Sequence, residues 1–256
     1  MNILRYCVLL SLFYSFSVHA ENAADAYYGK EEMDAARNAL KHHHGDSNQL
    51  FFMADRLEYK TNEGDPHTVW EGQGWYGNDL NKFWFKTEGE YVHDSNKFEE
   101  VEIQALYSRA ISPFWDIQAG IRHDIKPNPS RTYGVFGFQG IAPYWFEVDA
   151  ASFISDQGDI SLRVETEYEL LITQRLILQP RIELNLALSG DDELEIGSGL
   201  NSIQTGLRLR YEIQREIAPY IGFSWNKAFG STANYIEAAG NDTESLSFVA
   251  GIRLWY

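Results

Sequence analysis

From about residue 48 to its last residue the chain alternates apolar and polar positions with a period of two. In "SLRVETEYELL" the residues Leu162, Val164, Thr166, Tyr168 and Leu170 alternate with Arg163, Glu165, Glu167 and Glu169. In "RLILQPRIELNLALS" Leu176, Leu178, Ile182, Leu184, Leu186 and Leu188 alternate with Gln179, Arg181, Glu183 and Asn185. In "SIQTGLRLRYEIQ" Ile203, Leu207, Leu209, Tyr211 and Ile213 alternate with Gln204, Arg208, Arg210, Glu212 and Gln214. Successive side chains of an extended strand point to opposite faces, so each segment predicts a strand with one apolar face and one face charged with both signs. Residues 21–47 differ. "GKEEMDAARNALKHHHG" has helical spacing, with Met33, Ala36 and Leu40 on one face and Gly45 as a stop.

Two architectures satisfy the alternation. A soluble sandwich buries the apolar face; an outer-membrane barrel turns it to lipid and fills its lumen with charge. Four features select an all-β, closed antiparallel transmembrane barrel. Twelve strand candidates can be marked, an even number, with lengths near the ~9–11 residues that cross a bilayer at a tilt. Short turns near Gly77–Asn81, Ile111–Phe114, Ile141–Tyr144, Ile172–Arg175 and Arg215–Pro219 alternate with longer polar loops at "TNEGDPH", "HDSNK", "HDIKPNPSR", "SDQGD", "SGDDELEIGSG" and "FGSTANYIEAAGNDT". Aromatic residues collect at strand ends, and "AISPFWDI", "GIAPYWFEV" and "EIAPYIGFSW" each set an aromatic just after a turn proline. The terminal "SFVAGIRLWY" resembles the signal that the outer-membrane assembly machinery reads. In lipid every backbone group must be paired within the protein, so the sheet is expected to close.

The amino-terminal residues predict processing. Arg5, the apolar run Tyr6–Phe16 and Val18-His19-Ala20 have the form of a secretory signal over 1–20. The expected organisation is therefore a signal peptide (1–20), a partly helical, His-containing periplasmic arm (21–47) and an outer-membrane barrel (48–256). The single cysteine, Cys7, falls inside the signal, which leaves no thiol for disulfide or thiolate chemistry. A formal net charge of −16 argues against nucleic acid as a partner and makes cations the natural counterparts.

Candidate chemistry is of three kinds. The first is metal binding: His42, His43 and His44 end the arm, and His67, His93 and His123 fall in the first three long loops, accompanied by Asp65, Asp94 and Asp124. Consecutive hairpins are neighbours in a barrel, so the loop histidines are expected to gather on one sector of the rim. Imidazole with carboxylate suits Cu²⁺ or Zn²⁺, and imidazole with thioether suits Cu⁺; a solvated histidine run is the alternative. The second is the lumen. By parity it holds Met53, Asp55, Glu71, Glu88, Glu90, Glu100, Glu102, Asp116, Glu147, Asp149, Glu165, Glu167, Glu169 and Glu183, faced by Lys86, Arg122, Arg163, Arg181, Arg208, Arg210 and Arg253. That set fits either a narrow, acid-rich cation path or a salt-bridge plug that stiffens the barrel. The third is "YVHDSNK", whose His93, Ser95 and Asn96 are similar to the motif of lipid-degrading outer-membrane barrels.

Several segments together resemble one family. "EEMDAARNAL", "FFMADRLEY", "EIQALYSRAISPFWDIQAGIRHD", "QGIAPYWFEVDA" and "LRVETEYELLITQRLILQPRIELN" look like the copper resistance protein B family of outer-membrane proteins, from about residue 28 onward. The segment holding Tyr107, Ser108, Arg109, Pro113, Trp115, Asp116, Gln118, Gly120 and Arg122 is its most specific part. The resemblance implies a periplasmic arm, an outer-membrane barrel and a part in copper tolerance beside periplasmic copper-binding proteins. Members often carry a Met- and His-rich arm, whereas Met33 and Met53 are the methionines beyond the signal here. The His42–His44 run is read as a substitute that shifts preference from Cu⁺ towards Cu²⁺. The expected function is non-enzymatic: a barrel that binds copper through His42, His43, His44, Met53, Asp55, His67, His93 and His123 and passes it passively across the membrane. No Gly-rich phosphate loop with its lysine is present. A lipid hydrolase using His93 and Ser95, or a purely structural barrel, are the alternatives.

Overall fold

The computed structural model describes residues 24–44, 47–61 and 66–256, with the backbone alone at 26 and 41–44. The expected signal, Gly45 and Asp65 lie outside the described residues. The chain divides into two units, 1–47 and 48–256.

In the first unit, helix α1 (Asp25–Tyr28) is followed by α2 (Lys30–His44), with Gly29 between them at φ +81°, a conformation that favours glycine. Arg37 clasps the two helices by donating to Asp25 and, within α2, to Asp34 at 2.8 Å. The helical spacing read from the sequence is thus realised. The backbone of His42–His44 forms the last turn of α2. Of the expected apolar face, Met33 is half-buried while Leu40 is exposed.

In the second unit the strands are β1 (Gln49–Lys60), β2 (His67–Gly77), β3 (Asn81–Val92), β4 (Lys97–Ser112), β5 (Trp115–Lys126), β6 (Arg131–Ala142), β7 (Phe146–Ser155), β8 (Ile160–Glu167), β9 (Leu170–Leu171), β10 (Leu176–Ala187), β11 (Gly199–Tyr211), β12 (Ile217–Ala228) and β13 (Glu244–Trp255). Each pairs antiparallel with its neighbours. β8 and β9 lie end to end against β10, so the thirteen segments make a wall of twelve strands. β1 pairs with β13, from Met53↔Trp255 to Lys60↔Val249, and Phe52 exchanges backbone hydrogen bonds with Tyr256. The sheet closes on itself and leaves no edge.

Burial follows the alternation, but inverted relative to a water-soluble protein. Ile121 is 60% exposed and Phe136, Ile182, Leu207 and Phe223 are also exposed, whereas Glu102 is 1%, Glu58 2% and Arg181 3% exposed. Charge inside and aliphatic side chains outside suit a lipid surround. Among the described residues no helix is long and apolar enough to cross a membrane. This is an outer-membrane type of β-barrel.

The connections alternate as the pattern requires, with two differences. All five short turns fall at one end, at or within three residues of the expected positions; the last runs over 212–216, so Pro219 lies in the strand that follows it and not in the turn. At the other end, however, 93–96 and 156–159 are also tight turns; Asn96, at φ 53°, lets the first close without a long loop. The other difference is helix α3 (Gly230–Ala238), which occupies the longest loop. It is fastened to the loop 188–198: the Gly197 amide donates to Thr232 Oγ1 at 2.9 Å, and the Tyr235 hydroxyl donates to Asp192 at 2.7 Å. That carboxylate raises the Tyr235 pKa above its ordinary value.

One strand departs from strict alternation. Ala54 pairs with Gly72 and Arg56 with Glu71, so Asp55 is an extra residue in β1. The bulge sets Asp55 and Arg56 both inward and reverses the parity beyond them. Leu57 and Tyr59 therefore face out, and Arg56, Glu58 and Lys60 are buried in the lumen.

Candidate functional site: the barrel lumen

The lumen contains two cavities. The one nearer the short turns, about 360 Å³, is lined by Met53, Asp55, Lys86, Glu147, Asp149, Glu165 and Glu167 among others. The one nearer the long loops, about 330 Å³, is lined by Glu58, Lys60, Glu90, Glu100, Arg122 and Asp124 among others, with Leu194 and Ile196 from the loop 188–198.

Between them lies a closed ring of alternating charges. Arg56 Nε donates to Glu71 at 2.6 Å; Glu71 meets Arg181 at 3.7 Å; Arg181 meets Glu183 at 2.9 Å. Glu183 lies 3.9 Å from Arg163, Arg163 donates to Glu88 at 3.1 Å, and Glu88 returns to Arg56 at 3.3 Å. Three guanidinium groups and three carboxylates from β1, β2, β3, β8 and β10 thus neutralise one another across the lumen. The ring is extended by Arg163 to Glu102 at 3.1 Å, Glu102 to Arg122 at 2.7 Å, and Arg122 to Asp124 at 2.7 Å. Arg181 also meets Glu165 at 2.7 Å and Glu167 at 3.3 Å. Arginine suits this role because its planar fork engages two carboxylates at once and keeps its charge when buried.

The opposite part of the section is apolar. Leu106, Val135 and Phe153, on β4, β6 and β7, point inward and form a small buried cluster. The Phe153 ring carries the guanidinium of Arg122 at 4.7 Å and that of Arg163 at 5.7 Å, so the aromatic face joins the ion-pair lattice to the cluster. Salt bridges and this cluster together fill the middle of the lumen.

The expected lumen residues take their expected side. Met53 and Asp55 both face the chamber at the short-turn end, and both are held by Arg253: its Nη2 donates to Met53 Sδ at 3.3 Å and its Nε meets Asp55 at 2.8 Å. Arg253 also meets Glu169 at 2.9 Å. A cation arriving at Met53 or Asp55 would therefore compete with a guanidinium. Lys86 reaches across the chamber nearer the short turns to Asp149, and Lys82 pairs with Asp116 at 2.9 Å. Period two could not reveal Arg56, Glu58 and Lys60, because the bulge shifts their parity; the signal in the sequence is that the apolar pair Leu57 and Tyr59 falls in the same phase as the inward Met53 and Asp55.

The loop histidines do not gather. His67 is the first residue of β2 and is buried inside the lumen, where its Nδ1 meets Glu90, with Lys60 3.8 Å from the same carboxylate. His93 lies outside, its Nε2 hydrogen-bonded to Thr68 Oγ1 at 2.8 Å and its ring 5.2 Å from that of Tyr91 and 5.8 Å from that of Tyr59. His123 is also on the outer face, bonded to Thr132 at 2.9 Å, while the adjacent Asp124 points into the lumen. Residues that adjoin along a strand face opposite ways, which is why His123 and Asp124 cannot share an ion. Among the described residues no group of three or more His, Cys, Asp or Glu could hold a metal ion; the side chains of His42–His44 lie outside them. The His93–Ser95 arrangement does not assemble as a base and nucleophile, since the imidazole's hydrogen bond runs to Thr68 and Ser95 sits in the tight turn.

Comparison with known proteins accords with this barrel. Residues 48–256 match the family described as copper resistance protein B precursor (CopB). The copper resistance protein B of Escherichia coli is 39% identical over 213 residues, which are 83% of this chain and 71% of that protein. A copper resistance protein B homolog of Pseudomonas syringae pv. tomato is 40% identical over 213 residues, 83% of this chain and 72% of the relative. Among solved structures the NanC porin superposes with a TM-score of 0.53 over 80% of this chain and 99% of its own, at 12% identity, which speaks for the fold alone. Such membership points to a non-enzymatic protein. The chain belongs to the copper resistance protein B family, outer-membrane barrels with a role in copper resistance.

Proposed function

We propose that this barrel contributes to copper tolerance by binding copper ions and letting them cross the outer membrane passively. The observation that carries the reading is the lumen: two acid-lined chambers, with Met53 and Asp55 facing the one at the end where β1 begins. Carboxylates attract cations, and a thioether adds preference for Cu⁺. In this reading residues 21–47 form a periplasmic arm whose His42, His43 and His44 collect copper and present it to Met53 and Asp55, while His67 and Glu90 meet it in the outer chamber. His93 and His123, on the lipid side of the wall, take no part. Passage follows the gradient, since the sequence carries no phosphate-binding loop to couple it to nucleotide.

Titration calorimetry of the refolded barrel with and without residues 21–47, under oxidising and reducing conditions, tests the binding step. Stoichiometric binding that weakens when the arm is removed, or when His42, His43, His44 and Met53 are replaced together, is expected. Binding no tighter than that of a bare three-histidine peptide would remove the arm from the account.

A further inference from the structure

We propose that Arg163 is a gate that separates the two chambers, and that small cations cross the lumen when its guanidinium leaves Glu88 and Glu102. Three residues line both cavities: Glu88, Phe153 and Arg163. Within the plug of ion pairs and apolar side chains, these three are the residues that both chambers touch. Arg163 stands on β8 and reaches Glu88 on β3 and Glu102 on β4, each at 3.1 Å, on the far side of the lumen. Its Nε also donates to Asn185 on the adjacent β10 at 3.3 Å.

Of the three arginines in the ring, Arg163 is the one with room to move. Its side chain is 18% exposed, against 5% for Arg56 and 3% for Arg181. Space lies on both sides of it, since each chamber is several times the roughly 30 Å³ that a water molecule occupies in the liquid. Arg56 and Arg181 instead brace the ring against wall neighbours, Arg56 through Glu71 at 2.6 Å and Arg181 through Glu165 at 2.7 Å.

The same geometry sets the ion preference. When Arg163 swings aside, Glu88, Glu102 and Glu183 each lose one guanidinium, keep only Arg56, Arg122 and Arg181 respectively, and face the opening with less of their charge compensated. A cation entering there replaces the lost charge, whereas an anion is repelled. The gate is thus opened at least cost by the kind of ion it admits. This holds for any small cation and does not rest on the copper reading.

The test is conductance of the refolded full chain in planar bilayers bathed in potassium chloride. The wild-type barrel is expected to stay closed, with brief openings. R163S and, from the opposite wall, E88Q should each raise the mean conductance several-fold, and R163S should shift the reversal potential under a salt gradient towards that of potassium. R163K should stay near the wild type. K227S breaks an exposed pair with Glu244 at 2.8 Å on the outer face of the wall, away from both chambers, and should leave the conductance unchanged. Should R163S fail to assemble, E88Q carries the same comparison. A wild-type barrel that already conducts steadily, variants that conduct no more than it does, or a K227S barrel as open as R163S would overturn the gate; absence of copper binding would overturn only the copper reading.

Discussion

Arg181 shows how much a single side chain can hold in this lumen. It meets carboxylates of Glu71, Glu165, Glu167 and Glu183 and is 3% exposed. Removing one partner of a buried ion pair leaves the others uncompensated, at a cost of about 3–5 kcal/mol. R181A is therefore expected to destabilise the barrel by about that amount, read as a lower urea midpoint in lipid vesicles. E165Q, which leaves Arg181 three carboxylates, should shift the midpoint far less. The sequence tells that Arg181 faces inward, because it alternates with Ile182 and Leu184. Its partner Glu71, five strand positions away around the closure, is not legible there, since period two orders one strand and says nothing of what meets across the lumen.

At the scale of the strand, the bulge in β1 makes a sharp prediction. Asp55 is the extra residue, so its deletion leaves Arg56, Glu58 and Lys60 inside and Leu57 and Tyr59 outside. A barrel lacking Asp55 should still assemble, having lost only the tie to Arg253. Deletion of Thr205, which pairs in unbroken register with Ile182 and Trp225, shifts the rest of β11 by one residue and turns its apolar face inward. That variant should fail to reach the heat-resistant, fast-migrating form of a folded barrel on a cold SDS gel. Strand number, turn positions and sidedness were legible because lipid outside and charge inside enforce alternation on nearly every strand. The histidines were not, because loop residues and strand-end residues look alike in sequence: His67 and His123 proved to lie within strands and on opposite faces of the wall.

Across the whole molecule, the closed wall presents apolar side chains to lipid and confines charge to a lumen divided in two. Family membership gives the barrel its role in copper resistance, and the route proposed for that role runs through the acid-lined chambers on either side of the charge ring. The central claim is that copper passes through this lumen. Its most direct test is copper entry into vesicles that hold a copper-sensitive dye, with the full chain refolded in the membrane and a copper gradient imposed. The account predicts entry faster than in protein-free vesicles, slower when His42, His43, His44 and Met53 are replaced, and faster in R163S. Entry at the protein-free rate in both wild type and R163S would contradict it.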